Sequence, residues 1–308
     1  MAKTGFAWSA AALVGVLILG YSAVAHSDQL FFETPEAAAQ ALVDAVLAED
    51  ADVVKAVLGP GSEDLSSGDP VADRAEREAF VEAAVESAAI EQEDGVDDRA
   101  VLVIGDDWPF PVPLVKGAEG WYFDMDEGLE EIYRRRIGNN ELYAISVAAA
   151  YAEAQEEYAS VDRNGDGVRE YAQRLASSEG KRDGLYWPVE QGEPESPMGP
   201  LVADAVAEGY SRSDDGEPVP YHGYVYRMLP GQGANAPGGA KSYVVDGRMT
   251  GGYALLAYPA EYGNSGIMTF MINQQGMVFE KDLGEDTASL ASAIEVYDPD
   301  TTWDPVTD

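Results

Sequence analysis

Cysteine is absent from this 308-residue chain, and histidine is nearly so, with His26 and His222 as its two copies. Without thiols the chain forms no disulfide and supplies no cysteine nucleophile, thiolate zinc ligand or iron–sulfur ligand. A catalytic zinc site built mainly from histidines is excluded as well, because it needs more of them than one domain here contains. The length allows two ordinary domains, each large enough for a core that needs no disulfide.

Basic residues are scarce. The chain has 19 lysines and arginines against 56 aspartates and glutamates, so its formal net charge is −37. A field of this sign repels nucleic acid and anionic membrane surfaces, and we therefore expect no nucleic-acid partner. The simplest interpretation of so many acids is a solvated surface. Chance pairs of carboxylates then say nothing about hydrolytic chemistry.

The amino-terminal segment, residues 1–25, is predicted to direct export. One lysine precedes an uncharged run from Phe6 to Ala25, which ends in Ala23-Val-Ala25. This pattern is typical of a secretory signal cleaved after Ala25, which would leave His26 at the new terminus. The alternative is an uncleaved anchor, because about 20 apolar residues can span a bilayer. We expect the protein to be periplasmic, or anchored to the outer face of the inner membrane through this segment alone.

Residues 34–139 are predicted to form a first α+β domain. Thr34 and Pro35 give an N-cap and first-turn signal, and helical patterns continue to about Ile90. From Arg99 the pattern changes to strands, and a short helix is predicted from Glu127. Helices followed by a curved antiparallel sheet resemble the nuclear-transport-factor-two-like cone fold. That resemblance implies a fold and no particular activity.

Residues 140–306 are predicted to form a second α+β domain. A long helix starts at Asn140, and a second helix is predicted over 169–176, after a turn. From Tyr221 onward the alternating pattern predicts three to four antiparallel strands packed on the long helix. The arrangement is similar to the soluble head of type IV pilin-like proteins, but this helix begins in mid-chain, so filament assembly is not implied. The predicted apolar face of the long helix is Leu142, Ile145, Ala149, Ala152 and Tyr158.

Several long motifs run through both predicted domains. They are DWPFPVPLVK, GKRDGLYWP, PYHGYVYRM, YVVDGRMTGGYALLAYPAEYGNSGIMTF and NQQGMVFEKDLG. Together they resemble the 2950 family of domains of unknown function, over about Thr34 to Val306. The resemblance implies an exported bacterial protein with no assigned activity.

The stretch DRNGDGVRE, residues 162–170, predicts a metal site. Acidic or amide side chains stand at positions one, three and five of a calcium loop, and a glycine supplies the turn at six. Position twelve, a glutamate in EF-hands, is Gln173 here, so we expect weak, structural binding of Ca²⁺. The alternative is an acidic turn between two helices. The predicted ligands, including one backbone carbonyl, are Asp162, Asn164, Asp166, Val168 and Glu170.

No catalytic residue is predicted. His222 stands at a strand start without a G-x-S-x-G elbow, so we interpret it as a structural histidine. Asp106 and Asp107 are interpreted as a solvated turn. The aromatic loop at Tyr186 and Trp187 is interpreted as packed on the sheet, with a sugar- or peptide-binding platform as the alternative.

The sequence therefore predicts a non-enzymatic binding or assembly factor of the cell envelope. Its partner would be an envelope protein or a glycan. The alternative is a hydrolase that uses carboxylates in the first domain and acts in the envelope. Two facing acids in a deep pocket of that domain would favour the hydrolase.

Overall fold

The computed structural model describes residues 2–6, 29–92, 95–189, 192–210 and 219–307, with the backbone alone for residues 2–6. The chain divides into two compact units, Met1–Arg135 and Arg136–Asp308. Both units combine helices with antiparallel sheet, which confirms the α+β class. Residues 7–25 of the predicted signal or anchor lie outside the described residues. Within the described residues, no helix has the length and apolar character to cross a membrane.

The helices of unit 1 begin where the sequence supplies an N-cap. Helix α1 (Pro35–Leu47) follows Thr34, whose hydroxyl accepts a hydrogen bond from the Ala37 amide at 3.2 Å. Helix α2 (Ala51–Leu58) follows Asp50, whose carboxylate accepts from an amide of the first turn. Helix α3 (Pro70–Glu86) follows Asp69, whose carboxylate accepts from two amides. Each cap satisfies donors that the helix itself leaves without partners.

The strands of unit 1 form one antiparallel sheet. They are β1 (Ala2–Phe6), β2 (Ala88–Gln92), β3 (Arg99–Ile104), β4 (Trp108–Pro109), β5 (Leu114–Lys116) and β6 (Trp121–Phe123). The order is β1-β2-β3-β5-β6, with β4 also paired to β3. The helices and the sheet enclose an apolar core, whose largest fully buried side chains are Leu42, Leu102, Ile104, Leu114 and Phe123.

One helix, α4 (Met125–Ala159), takes the place of the two helices predicted on either side of Gly138. The boundary between the units falls inside it, after Arg135. Glycine and asparagine are weak helix formers, which is why Gly138-Asn-Asn140 indicated a break. Tertiary contacts override that weakness: the Asn140 amide donates to the Ser265 carbonyl at 2.9 Å.

The buried face of α4 in unit 2 differs from the predicted one. Leu142 is 68% exposed and Ala149 is exposed, so both were assigned to the wrong side. In a helix this rich in alanine, apolar spacing alone does not identify the inner face. Small side chains bring the helix close to the sheet, and tyrosines extend into the core. The buried apolar residues are Ala144, Val147, Ala148, Tyr151, Ala154 and Tyr158.

Unit 2 is built on a five-stranded antiparallel sheet, one strand more than the largest predicted number. Its helices are α5 (Gly199–Glu208) and α6 (Thr287–Ala293). Its strands are β7 (Tyr224–Met228), β8 (Gly231–Gln232), β9 (Lys241–Ser242), β10 (Val244–Val245), β11 (Arg248–Met249), β12 (Ala254–Pro259), β13 (Met268–Asn273), β14 (Phe279–Asp282) and β15 (Asp304–Pro305). The large sheet has the order β15-β14-β13-β12-β7, and β8-β9 and β10-β11 form two short ribbons.

Tyrosine dominates the core of unit 2. The Tyr151 hydroxyl on α4 donates to the Ala254 carbonyl of β12 at 3.2 Å, and the Tyr224 hydroxyl donates to the Met268 carbonyl at 2.9 Å. These bonds satisfy polar groups that would otherwise be costly to bury. The fully buried tyrosines are Tyr151, Tyr224, Tyr243, Tyr253 and Tyr297.

Candidate functional site

The predicted calcium loop is a turn closed by its own side chains. The Asp162 carboxylate accepts hydrogen bonds from the Gly165 and Gly167 amides, both at 2.8 Å. Both glycines have positive φ angles, 73° and 88°, a conformation that glycine adopts without strain. The hydrogen bonds from the backbone amides, chiefly the one from Gly167, lower the pKa of Asp162. The Asp162 carboxylate is therefore ionised, and its hydrogen bonds hold the loop in its turn conformation.

The other predicted ligands are engaged as well. One oxygen of Asp166 accepts from the Val168 amide at 2.9 Å, and the other lies 2.7 Å from the Arg248 guanidinium. The Asn164 amide donates to a Glu170 oxygen at 3.0 Å. Burial, and next the Asp166 carboxylate, raise the pKa of Glu170. The loop thus contains several oxygen atoms of the kind that bind calcium. In this structure the Arg248 guanidinium balances part of their negative charge.

The helix predicted over residues 169–176 is absent, so the loop is not an EF-hand. The Tyr171 amide donates instead to the Met249 carbonyl of β11 at 2.8 Å. Gln173, at loop position twelve, donates to the Gly247 carbonyl at 2.9 Å and so turns toward the β10–β11 ribbon. Residues 169–176 therefore form hydrogen bonds with the β10–β11 ribbon in place of the backbone hydrogen bonds of a helix. Across the described ranges, no group of three or more acidic or histidine side chains is arranged to hold a metal ion.

The aromatic loop is packed, as predicted. Trp187 is only 5% exposed and lies edge-on to Tyr158, with ring centroids 6.5 Å apart. The guanidinium groups of Arg163 and Arg182 lie 5.1 Å and 5.5 Å from the Trp187 ring. Tyr186 is half-buried. This loop therefore anchors to unit 2 and does not offer an exposed aromatic platform.

An open groove in unit 2 is the site that sequence reasoning missed. Its volume is about 450 Å³. Helices α4 and α5 and the turn before β7 supply its walls. Side chains of several kinds line it, among them Tyr143, Ser146, Leu201, Asp204, Glu208 and Tyr221.

Two rings that line this groove, Tyr143 and Tyr221, belong to a cluster of four rings. The Tyr143 and His222 rings are stacked, with centroids 3.9 Å apart and planes 4° from parallel. Tyr221 and Tyr210 lie against the same imidazole at centroid distances of 4.4 Å and 5.6 Å. Tyr143 nevertheless stays 47% exposed. Such ring contacts give a rigid aromatic surface with polar edges.

A tight turn fixes His222 in this position. His222 and Gly223 have φ angles of 47° and 71°, and Tyr221 and Tyr224 exchange backbone hydrogen bonds of 2.8 Å and 3.1 Å around them. Two successive residues with positive φ give the type I′ hairpin turn, and histidine tolerates that conformation better than most residues. A Cβ at position 223 would meet the Asn140 side chain at 2.6 Å, so the second position requires glycine.

Two acids on α5 border the rings. Asp204 and Glu208 are one turn apart, and α5 contains no lysine or arginine. Like charges at this spacing repel, and Glu208 ends the helix, where the dipole disfavours a carboxylate. A Glu208 oxygen lies 3.1 Å from Nε2 of His222. Neither acid is therefore placed to stabilise α5.

Two phenols respond to this environment. Burial, and then Glu208, Tyr143 and Asp204, raise the pKa of Tyr221 to about 12. The Tyr226 hydroxyl is buried and has no hydrogen-bond partner within the described part of the chain. Burial chiefly, with Tyr221 and Tyr210 nearby, raises the pKa of Tyr226. Both phenols therefore keep their protons at neutral pH.

The groove also contains a hydroxyl side chain. Its serine, Ser146, donates its hydroxyl to the Tyr143 carbonyl at 2.8 Å, one turn back in α4. His222 contacts a carboxylate and three rings, as described above. The Ser146 hydroxyl is therefore bonded within its own helix.

The molecule is thus an α+β protein of two units, one of which has an open groove lined by rings and acids. The chain belongs to the family described as "Protein of unknown function (DUF2950)", whose family model matches residues 29–306. The match includes the loop at 162–170 and the groove, and it confirms the resemblance noted from the motifs. No curated protein and no solved structure matches the chain.

Proposed function

We propose that this chain is an exported, non-enzymatic binding protein of the cell envelope, with the groove of unit 2 as its ligand site. The observation that supports the proposal is that two rings, Tyr143 and Tyr221, and the carboxylates of Asp204 and Glu208 line one cavity of about 450 Å³. That volume is in the range of small-molecule sites. Rigid rings offer a large contact area at a low cost in side-chain entropy.

Export is supported by the amino-terminal pattern of the sequence. The apolar run ends in Ala23-Val-Ala25, a cleavage signal. Cleavage after Ala25 would give a periplasmic protein, and retention would anchor it to the outer face of the inner membrane. The partner would then be an envelope protein or a glycan.

The alternative, a carboxylate-dependent hydrolase in the first domain, has less support. Such an enzyme needs two facing acids in a pocket. The largest fully buried side chains of unit 1 are apolar, and Asp69, a buried carboxylate there, caps α3. Asp106 and Asp107 stand in an exposed turn. These positions favour a structural role for unit 1.

The finer fold assignments belong to the same proposal. Residues 34–139 would form a nuclear-transport-factor-two-like cone, supported by helices α1 to α3 followed by an antiparallel sheet. Residues 140–306 would form a pilin-like head, supported by the burial of one face of α4 in the core of the five-stranded sheet. A solved structure of the chain, compared with both folds, tests these assignments.

The binding function is tested by thermal shift with a panel of envelope glycans and peptides. We expect a ligand that raises the melting temperature of the wild-type protein and of Leu142→Ala, but not of Tyr143→Ala. Leu142 is the matched control because it is exposed and next in sequence, yet is not part of the groove lining. Release of glycan products that persists in Tyr143→Ala would contradict the proposal and favour the hydrolase.

A second role, structural binding of Ca²⁺, is supported by the loop at 162–170. Hydrogen bonds from two backbone amides to Asp162 already fold the loop, and burial, followed by the Asp166 carboxylate, raises the pKa of Glu170. Calcium outside the cytoplasm can occupy weak sites of this kind. The ion would replace the Arg248 guanidinium beside Asp166. Its ligands would be Asp162, Asn164, Asp166, Val168 through its carbonyl, and Glu170.

Calorimetry and melting curves in calcium and in chelator test this role. We expect one ion per chain and a higher melting temperature in calcium, with both effects lost in Asp166→Asn. Arg248→Met should tighten calcium binding, because it removes the competing cation. Arg182→Met, which removes a similarly exposed arginine elsewhere in unit 2, should leave binding unchanged. If neither the wild type nor Arg248→Met gives heat of binding at millimolar calcium, the loop is an acidic turn held by Arg248 and not a calcium site.

A further inference from the structure

We infer that the groove of unit 2 binds an uncharged oligosaccharide, with one sugar ring stacked on Tyr143 and its hydroxyl groups bonded to Tyr221 and Asp204. The inference rests on the proposed binding function and selects a neutral glycan from the classes of partner named there. It is supported by one open aromatic face, by two polar groups without protein partners, and by the net charge of the chain.

Tyr143 presents a flat surface to the groove. One face of its ring is covered by the His222 imidazole, since the two rings are stacked with centroids 3.9 Å apart and planes 4° from parallel. The Tyr143 side chain is nevertheless 47% exposed and lines the cavity, so the opposite face of the ring is open. The C–H groups on one side of a sugar ring pack on such a face. Because the stack already holds the Tyr143 ring, this packing costs little side-chain entropy.

Two polar groups of the lining complement the hydroxyl groups of a sugar. Within the part of the chain that the structure describes, the Tyr221 hydroxyl and the Asp204 carboxylate form no hydrogen bond and no ion pair. Burial is the largest cause that raises the pKa of Tyr221 to about 12, so its phenol remains a donor at neutral pH. The Asp204 carboxylate supplies an acceptor. A sugar hydroxyl both donates and accepts, and it therefore suits a site that offers one group of each kind.

The charge of the chain favours a ligand that carries no negative charge. The formal net charge is −37, and Asp204 places one carboxylate at the groove itself. A field of this sign repels polyanions, acidic polysaccharides among them. A neutral oligosaccharide experiences no such repulsion.

The walls of the groove do not match the usual ways of binding a peptide. The described residues that line it belong to α4, α5 and the turn before β7, so the lining has no strand edge to pair with an extended peptide. A helical peptide would need a row of apolar contacts. The apolar side chains here are Val147, Leu201 and Ala207, and Val147 is only 5% exposed. The lining therefore favours a sugar over a peptide.

Calorimetric titration of the whole chain with neutral and acidic tetrasaccharides tests the inference. The neutral probes are chitotetraose, cellotetraose and maltotetraose, and the acidic control is tetragalacturonate. We expect at least one neutral probe to bind about tenfold or more tightly than the acidic control, because the chain repels the control. Added salt should leave the binding of the neutral probe unchanged, because this ligand has no charge to be screened.

Variants separate stacking from hydrogen bonding. Tyr143→Leu removes the ring and should weaken binding by about threefold to tenfold, whereas Tyr143→Phe keeps the ring and should bind as the wild type does. Tyr221→Phe and Asp204→Asn should each weaken binding by about threefold to tenfold, because each removes a hydrogen-bonding group or its charge. Leu142→Ala and Glu157→Gln are the controls, since both residues are exposed on α4 and do not line the groove. Unchanged melting temperatures would show that the weakened variants still fold.

The possible results separate the inference from the proposed function. Equal or tighter binding of the acidic control, or neutral binding that is unchanged in Tyr143→Leu, would overturn the inference. A peptide that binds the wild type but not Tyr143→Leu, with every tetrasaccharide silent, would overturn the inference and keep the proposed binding function. Silence of the tetrasaccharides and of the whole panel of envelope glycans and peptides would overturn both.

Discussion

At the scale of single residues, Tyr221 reports the charge of the groove. Its pKa is raised to about 12 by burial and then by the carboxylate of Glu208. In Glu208→Gln we expect this pKa to fall, because the phenolate would no longer face that negative charge. Ultraviolet difference titration against Tyr221→Phe isolates this one phenol. Glu157→Gln, which neutralises an exposed acid elsewhere on α4, is the control. An unchanged titration in Glu208→Gln, equal to that of the control, would show that Glu208 does not act on Tyr221.

The sequence predicted the residues of the loop at 162–170 but not those of the groove in unit 2. The loop ligands lie within nine residues, so their spacing alone brings Asp162 and Asp166 together. The groove joins Tyr143 to Glu208 and His222, which only the tertiary fold brings into contact. One local signal was available: like charges at Asp204 and Glu208 on a helix without any basic residue.

At the scale of elements, replacing either of two glycines in α4 with alanine should change the free energy of unfolding, in opposite directions. A Cβ at Gly138 would meet no atom within 4 Å, so Gly138→Ala should stabilise the protein by about 0.5–1 kcal/mol through helix propensity. A Cβ at Gly128 would lie 2.7 Å from a Val112 methyl group and 2.9 Å from the Val112 Cα. Gly128→Ala should therefore destabilise, by about 1 kcal/mol or more.

Urea unfolding of both variants measures these free energies of unfolding. The pair controls for composition, because both changes replace glycine with alanine in the same helix. A loss of stability in Gly138→Ala would contradict the continuity of α4 at that position.

The elements most accurately predicted are those with strong local signals. The cap at Thr34 and the proline after it placed the start of α1 correctly. The errors occurred where tertiary bonds decide the structure. Asn140 continues α4 because its side chain reaches Ser265, and Tyr171 is extended because its amide reaches Met249.

At the scale of the whole molecule, the buried tyrosines make stability depend on alkaline pH. Burial raises the pKa of Tyr221 and Tyr297 from 10 to about 12, and it also raises the pKa of Tyr151 and Tyr224. Above pH 10 the unfolded chain releases these protons before the folded chain does. The free energy of unfolding should be fully retained below pH 10 and then fall steeply as pH rises toward 12.

Melting curves across that range, followed by circular dichroism, check this expectation. Tyr297→Phe, which keeps the ring and removes one buried ionisable hydroxyl, should lose less stability between neutral and alkaline pH than the wild type. A melting temperature that stays constant through pH 12 would contradict the assignment of Tyr151, Tyr224 and Tyr297 to the core.

The short strand β15 has a consequence for self-association. It covers the edge of β14, where the Val306 amide donates to the Val278 carbonyl at 2.9 Å. Pro305 has no amide hydrogen and Asp304 carries a charge, so β15 is itself a poor template for a further strand. Truncating the chain so that it ends before Asp304 would remove β15 and expose the edge of β14 to pairing with a strand of a second copy. An affinity tag fused next to Pro305 would disturb the same protection, so recombinant protein should carry its tag elsewhere.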